Sequence, residues 1–486
     1  MITALLILIP FAFGLLSYVL PQNKLAKTAS VLSLIPFMLS IYSLKVVNTA
    51  NDFLLNYKQD WISDLGIQFS VGQDGLSALL VFLTTLLTPL ILWSSANKSY
   101  GENKNFVALV LFMQAALIGV FTSQDMFVFY LFWELALLPI YFISLIWGGE
   151  NRKAVTFKFF LYTTVGSLFM LASILYIYTV SPVNTFNIIE LYSTNLSYTE
   201  QVFVFFGFFL AFAIKMPIFP LHTWQPDTYV TAPTEGTMLL SGIMLKMGIY
   251  GALRLLLPLA PLASLYYGPI VVILSVIGIV YASIIALKQE NFKRMVAYVS
   301  IAHVALMAAG LFTFSIESYQ GIVIQMLAHG INVVGMFYIV DYVSSKCKTD
   351  AFNELGGLRN QAPLFATFFL IILMANVALP LTNGFVGEYL LIIGLFQYNF
   401  YLAGVAGLTI ILGAAYMLNG YQKVVLGEPK AKFAHFTDLN ANDYVVLLPI
   451  VFLIVFMGVC PKLFMDISEP SIKALLNVIQ QGQLRN

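Results

Sequence analysis

Val202 to His222 reads VFVFFGFFLAFAIKMPIFPLH, and this stretch decides the fold. It is apolar and has about the 20 residues that a helix needs to cross a bilayer. Its interior nevertheless carries a lysine, Lys215, and two prolines, Pro217 and Pro220. Proline lacks an N–H and its ring clashes with the carbonyl four residues back, so Pro217 frees the carbonyl of Ala213 and Pro220 that of Met216. In lipid a freed carbonyl must find a partner, so such a break survives only inside protein or beside water. The stretch reads as a broken helix within a membrane bundle.

The rest of the chain agrees. Hydrophobic residues make up 60% of the 486 positions and charged residues only 10%, against about 25% in a soluble domain. The net charge of +1 leaves no basic surface for nucleic acid. Two cysteines, Cys347 and Cys460, and four histidines do not suffice for an iron–sulfur cluster or a structural zinc site. No dinucleotide-binding glycine motif follows a strand, and no haem attachment motif is present. Runs of about 20 apolar residues predict about fourteen spans, at 2–20, 27–46, 75–95, 106–122, 124–146, 158–180, 202–222, 232–257, 268–288, 295–313, 318–343, 364–397, 401–421 and 444–463. The first run lacks a basic leader and a small-residue cleavage site, so it reads as a span rather than a signal peptide. Polar stretches at 47–74 and 422–443 are the longest connections, and 466–486 reads as an interfacial tail. Six loops on one face, around Lys24, Lys98, Arg152, Lys293, Lys346 and Lys423, hold most of the loop Lys and Arg. The positive-inside rule puts those loops in the cytoplasm or its equivalent and both termini outside.

Charge is expensive at mid-bilayer, about 2.5–3.5 kcal/mol per group on the lenient scale. Six ionisable residues sit there all the same: Glu134, Lys215, Lys246, His303, His329 and Glu388. Each alone could be a paired structural group between helices. As a series at one depth in different spans they meet the requirement of a proton relay. The 364–397 span is also too long for a straight crossing, and it contains Pro380 in Leu379-Pro380-Leu381-Thr382-Asn383-Gly384, just before Gly387-Glu388. Each break thus adjoins a charge, the pattern of midplane ion sites on discontinuous helices. The expectation is an all-α integral membrane protein, a single polytopic domain over 1–486. It holds two inverted five-helix repeats, 106–257 and 268–421, each containing a broken helix.

At this point the residues resemble a known family. Phe132-Trp133-Glu134-Leu135 with Pro139 is similar to a motif of the antiporter-like subunits of proton-translocating NADH–quinone oxidoreductase, respiratory complex I. So are Lys215-Met216-Pro217, Pro220-Leu221-His222-Thr223-Trp224-Gln225-Pro226-Asp227, Ala232-Pro233-Thr234 and Lys246-Met247-Gly248 with Arg254. Lys293-Arg294, Ser300-Ile301-Ala302-His303, Gln325-Met326-Leu327-Ala328-His329-Gly330 and Gly356-Gly357-Leu358 extend the likeness over most of the chain. Glu388 resembles the M-type (chain 4) branch, since the two sister branches typically place lysine there. Glu235 stands where relatives often have a small residue. It is read as an anion favoured by a helix start, with no part in transport.

The resemblance implies that Glu134 and Lys215 form a charge pair, that Lys246 is the central relay lysine, that His303 and His329 lie on a hydrated axis, and that Glu388 is the terminal proton carrier. It implies no redox centre, cofactor or metal in this chain, with flavin mononucleotide (FMN) and iron–sulfur clusters in partner subunits, membrane and peripheral. The location it implies is a bacterial inner membrane. Other readings stay open: a subunit of a multi-subunit sodium/proton antiporter or an energy-converting hydrogenase, or a passive scaffold between other subunits.

Overall fold

Apolar length dictates helices, and helices dominate. A computed structural model describes residues 1–47, 55–428, 430 and 436–484; the remaining parts of the 47–74 and 422–443 stretches and the last two residues of the expected tail lie outside the described residues. Among the described residues twelve helices are long and apolar enough to cross a membrane, from Leu25–Val47 to Ala441–Val459. Two shorter apolar helices, Ile2–Leu16 and Pro363–Asn376, accompany them.

The helices sort into a centre and a rim. Gly75–Ser95 and Ile316–Cys347 are wholly buried, and Thr234–Leu259, Phe292–Leu311 and Lys104–Thr122 nearly so. Leu25–Val47, Arg152–Val180, Phe400–Val425 and Ala441–Val459 leave most of their apolar surface outward. Leu161, Leu168, Phe169, Ile411 and Phe452 are exposed on them. Apolar side chains that face outward in such numbers mark a lipid-facing or partner-facing rim. Lys246, His303 and His329 sit on the central helices, where polar groups can find partners.

Several boundaries differ from the sequence expectation. The 202–222 span is the helix Tyr198–Lys215 followed by turns and the short helix Gln225–Thr231, so Lys215 is the last residue of its helix rather than near the middle. The 364–397 span is two helices, Pro363–Asn376 and Asn383–Tyr398. In both cases the prolines end the helix instead of bending it, because the freed carbonyls find local partners. The first span is shorter than expected, Ile2–Leu16.

The 47–74 connection contains a β-hairpin, Tyr57–Ile62 paired antiparallel with Ile67–Val71. Its turn ends on Gly66 in the left-handed region (φ 67), where a side chain would be strained and would run into the Asn184 carbonyl. Asp125 accepts from Gln68 N at 3.1 Å and caps the helix Met126–Trp147 through Phe127 N and Val128 N. The tail is the amphipathic helix Lys462–Leu484, which buries Phe464, Ser468, Ile472, Leu475, Leu476 and Ile479. That spacing of three and four is one helix face. It lies so close to Gly75 that a Cβ there would come within 2.8 Å of the Ile467 carbonyl carbon. Ser471 Oγ accepts from Gly75 N at 3.0 Å.

Asp74 ties these parts together. It caps the helix Gly75–Ser95 through Ser77 N (2.9 Å) and pairs with Arg254 near the end of Thr234–Leu259. Burial pushes its carboxyl up, but the Arg254 guanidinium and the Ser77 hydrogen bonds outweigh burial and hold it below the usual carboxylate range. The stability this contributes is present above about pH 3.9, the ordinary aspartate value, and is lost as acid protonates the group in the folded protein. Asp74→Asn is expected to cost about 3 kcal/mol at neutral pH and to remove that acid-dependent part; thermal unfolding in mild detergent across pH measures both.

Candidate functional site

The first break supplies its own partners. Beyond Lys215 the backbone turns, with Met216 N bonded to Phe212 O (2.7 Å) and Ile218 N to Ala213 O (2.9 Å). The Ile214 carbonyl accepts from the Trp224 indole at 2.9 Å. The second break is closed the same way: Leu379 N bonds Met374 O (3.0 Å), Asn332 Nδ2 donates to Ala375 O (3.3 Å) and Asn376 Nδ2 to Ile372 O (2.8 Å). Ala378 and Leu381 adopt left-handed conformations there (φ 57 and 74), a strain that surrounding packing must hold in place.

Lys215 Nζ, 2% exposed, lies 5.3 Å from the centre of the Trp133 ring and has no hydrogen-bond partner within reach. Glu134, next to Trp133, is half-buried, and its Oε1 is likewise unpartnered. No ion pair within 4 Å joins Glu134 to Lys215 among the described residues, although the Glu134 carboxylate is near enough to act electrostatically on Lys215.

Lys246 sits in a helix that departs from regular geometry on both sides. Thr234–Leu259 contains π-helical turns at Leu240–Met244 and Ala252–Leu256, and such turns release carbonyls and recur at functional sites. Lys246 Nζ donates to Ser241 O at 2.7 Å and lies 2.8 Å from His329 Nδ1. His329 Nε2 is 3.0 Å from Ser300 Oγ. The His303 ring stands 5.8 Å from His329, centre to centre, and His303 Nδ1 is 2.9 Å from Glu388 Oε1. All four groups are at most 4% exposed. The structure therefore joins Lys246, His329, His303 and Glu388 in one line, from helices far apart in sequence, and leaves Glu134 and Lys215 as a separate group at the first break.

Residues not singled out from the sequence complete the line. Gln325, His329 and Asn332 share one face of Ile316–Cys347, at the helical spacing of four and three. Gly387 lets the Asn383–Tyr398 helix approach Gln325, whose Cα and Cβ would be 2.9 Å from an added Cβ. Gln325 Oε1, Asn332 Oδ1, both polar atoms of Asn383, and the Tyr229 and Tyr416 hydroxyls are buried without a protein partner. Polar residues inside apolar runs were the available signal; their common facing was not, because it depends on how helices are rotated. Among the described residues no group of three His, Cys, Asp or Glu is placed to hold a metal ion.

Residues 123–413 match the family model described as NADH:quinone oxidoreductase/Mrp antiporter, TM. The chain is 40% identical to NADH-quinone oxidoreductase subunit M of Rickettsia prowazekii, over 94% of each chain. It is 36% identical to NADH-ubiquinone oxidoreductase chain 4 of Marchantia polymorpha, over 98% of this chain and 97% of that one. A chain of respiratory complex I from Thermus thermophilus superposes with a TM-score of 0.92 at 30% identity, covering 99% of this chain and 100% of that one. A chain of the Mrp complex from Dietzia shares the fold at 20% identity, with a TM-score of 0.87 and 99% of each chain covered.

Removing the indole N–H at the first break leaves a buried carbonyl unpaired. Trp224→Phe is expected to destabilise the chain by about 1–3 kcal/mol, read as a lower unfolding temperature in detergent.

Proposed function

The chain belongs to the NADH:quinone oxidoreductase/Mrp antiporter transmembrane family, and from that premise we propose that Glu134, Lys215, Lys246, His329, His303 and Glu388 form its proton relay. The protein is a multi-pass membrane subunit of NADH:quinone oxidoreductase of the M (chain 4) type, and it carries protons while redox chemistry proceeds in other subunits. The relatives named subunit M and chain 4 favour this reading over a sodium/proton antiporter.

The observation that carries the relay is the buried series Lys246, His329, His303 and Glu388, in contact at each end and parted between the two imidazoles. A proton on Lys246 Nζ has His329 Nδ1 at hydrogen-bond distance, and one on His303 Nδ1 has Glu388 Oε1 at 2.9 Å. Between the two imidazoles the rings are too far apart for direct transfer, so one water bridges them, as at other gaps between polar groups beyond 3.5 Å. Buried side chains without protein partners, Gln325 and Asn383 among them, supply the hydrogen bonds that hold such water. Glu134 and Lys215 act as the loading pair. A carboxylate close to an ammonium holds its proton on, and withdrawal frees it; their separation here supports the releasing state. Pro217, Pro220 and Pro380 act as the helix breaks that give these groups room.

Each break belongs to one of two five-helix units, 106–257 and 268–421, the second inverted relative to the first. The lysine-rich loops face the cytoplasm of a bacterial inner membrane and the termini face outward. No redox centre resides in this chain: FMN and iron–sulfur clusters belong to partner subunits, and driving energy enters laterally from them.

Lys246→Ala and Lys215→Ala are expected to assemble into the complex, to slow proton transfer through this chain by about 100-fold, the scale of a missing proton-transfer group, and so to lower the protons pumped per NADH. Proton uptake by vesicles during NADH oxidation measures it. Unchanged stoichiometry in both variants refutes the relay and leaves the scaffold reading.

A further inference from the structure

Glu235 is buried beyond what a helix-start anion requires. It is 1% exposed, accepts from the Tyr100 hydroxyl at 2.6 Å, and has Ser94 Oγ at 3.4 Å. No cation lies within ion-pair distance of it among the described residues. A second carboxylate, Asp341, stands in the same cluster, paired with Lys98 at 2.7 Å and accepting from Thr234 at 3.0 Å. Lys293, also in the cluster, is turned away onto the Val230 and Ala232 carbonyls (3.1 and 2.7 Å).

A polar cavity of about 420 Å³ opens above this cluster. Ser94, Lys98 and Asp341 line its floor, and Lys346 and Lys348 lie at its sides, so it faces the lysine-rich surface. Below Glu235 the same helix leads to Lys246, about 16 Å along at 1.5 Å per residue. Within that interval Thr237 and Ser241 share a polar face, which at 3.6 residues per turn lies roughly opposite Glu235. Thr237 Oγ1 donates to Tyr229 O, Ser241 Oγ to Thr237 O, and Lys246 Nζ to Ser241 O. The buried Tyr229 hydroxyl faces Gln225 and Ser300, and Ser300 lies at hydrogen-bond distance from His329.

Resting on the proposed relay, we infer that Glu235, with Tyr100, Asp341 and Lys98, is the site that collects protons from the lysine-rich face and feeds them to Lys246. Lys98 is committed to Asp341 and Lys293 to backbone carbonyls, so no direct ion pair opposes a proton on Glu235. The cavity brings water to Asp341 and to Ser94, which touches Glu235, and the Tyr100 hydroxyl orients Glu235. From there the proton has the length of this helix to cover to Lys246, whose Nζ is held by the Ser241 carbonyl. The groups that set its charge come from every packed element: Tyr100, Lys98, Asp341 and Lys293.

The test uses the complete complex in vesicles, with pumping followed while pH is varied on the face carrying Lys98. Glu235→Gln is expected to pump normally at low pH, where protons are abundant. As pH rises it falls behind the wild type by on the order of tenfold, a modest part of what a positioned proton donor contributes. Glu235→Asp restores most of the loss, and Tyr100→Phe shifts the profile the same way. A Glu235→Gln profile parallel to wild type, or a loss equal at every pH, overturns the inference. Lys246→Ala runs alongside: if it stops pumping while Glu235→Gln behaves as wild type, the relay stands and only the collecting site fails. If Lys246→Ala itself pumps, the relay and this inference fall together.

Discussion

One constraint governs this protein: a polar group inside a hydrocarbon layer must find its partner within the protein or in enclosed water. Six ionisable side chains placed at that depth would each be costly on a rim helix. Five of them are at least 96% buried, on or beside the central helices. The cost is offset for Lys246, His303, His329 and Glu388 because they face one another, and for Lys215 by the Trp133 ring beside it. The rest of the architecture, a rim of outward apolar side chains around a polar interior, follows from that requirement.

The helix breaks answer the same constraint. Each proline-rich interruption frees carbonyls, and each is closed by a side chain from elsewhere: the Trp224 indole on Ile214 O, and Asn332 on Ala375 O. Asn332 shares its helix face with His329, so the residue that closes the second break also belongs to the central line. Closure of the second break and the proposed relay thus share one helix face. The π-helical turn at Leu240–Met244 works in parallel, since the Ser241 carbonyl accepts from Lys246.

Arg254 and Asp74, the hairpin and the tail helix serve a different end. They pin the ends of the central helices, through the Asp74 cap and the close approach of Lys462–Leu484 to Gly75. The proposed relay demands donor–acceptor distances of about 2.7–3.2 Å, held to within a few tenths of an ångström. Helices that slide against one another would break the 2.8 Å contact between Lys246 and His329.

Read alone, the chain of 486 residues determined a great deal. Apolar run length set the membrane class and most span positions, because hydrophobic burial in lipid needs only composition and length. Charges inside apolar runs named Glu134, Lys215, Lys246, His303, His329 and Glu388, because the bilayer makes any such residue conspicuous. What only the tertiary structure decided was adjacency. It joined Lys246 to His329 and His303 to Glu388, held Glu134 apart from Lys215, and ended helices at Lys215 and Asn376 where continuous spans were expected. It also gave Glu235 a tyrosine partner and set it behind Ser94, a residue that lines a polar cavity, neither of which its neighbours in the chain reveal. The reason is physical: local sequence sets which face of a helix is polar, but which faces meet depends on helix rotation and crossing, and those are settled by packing among residues distant along the chain.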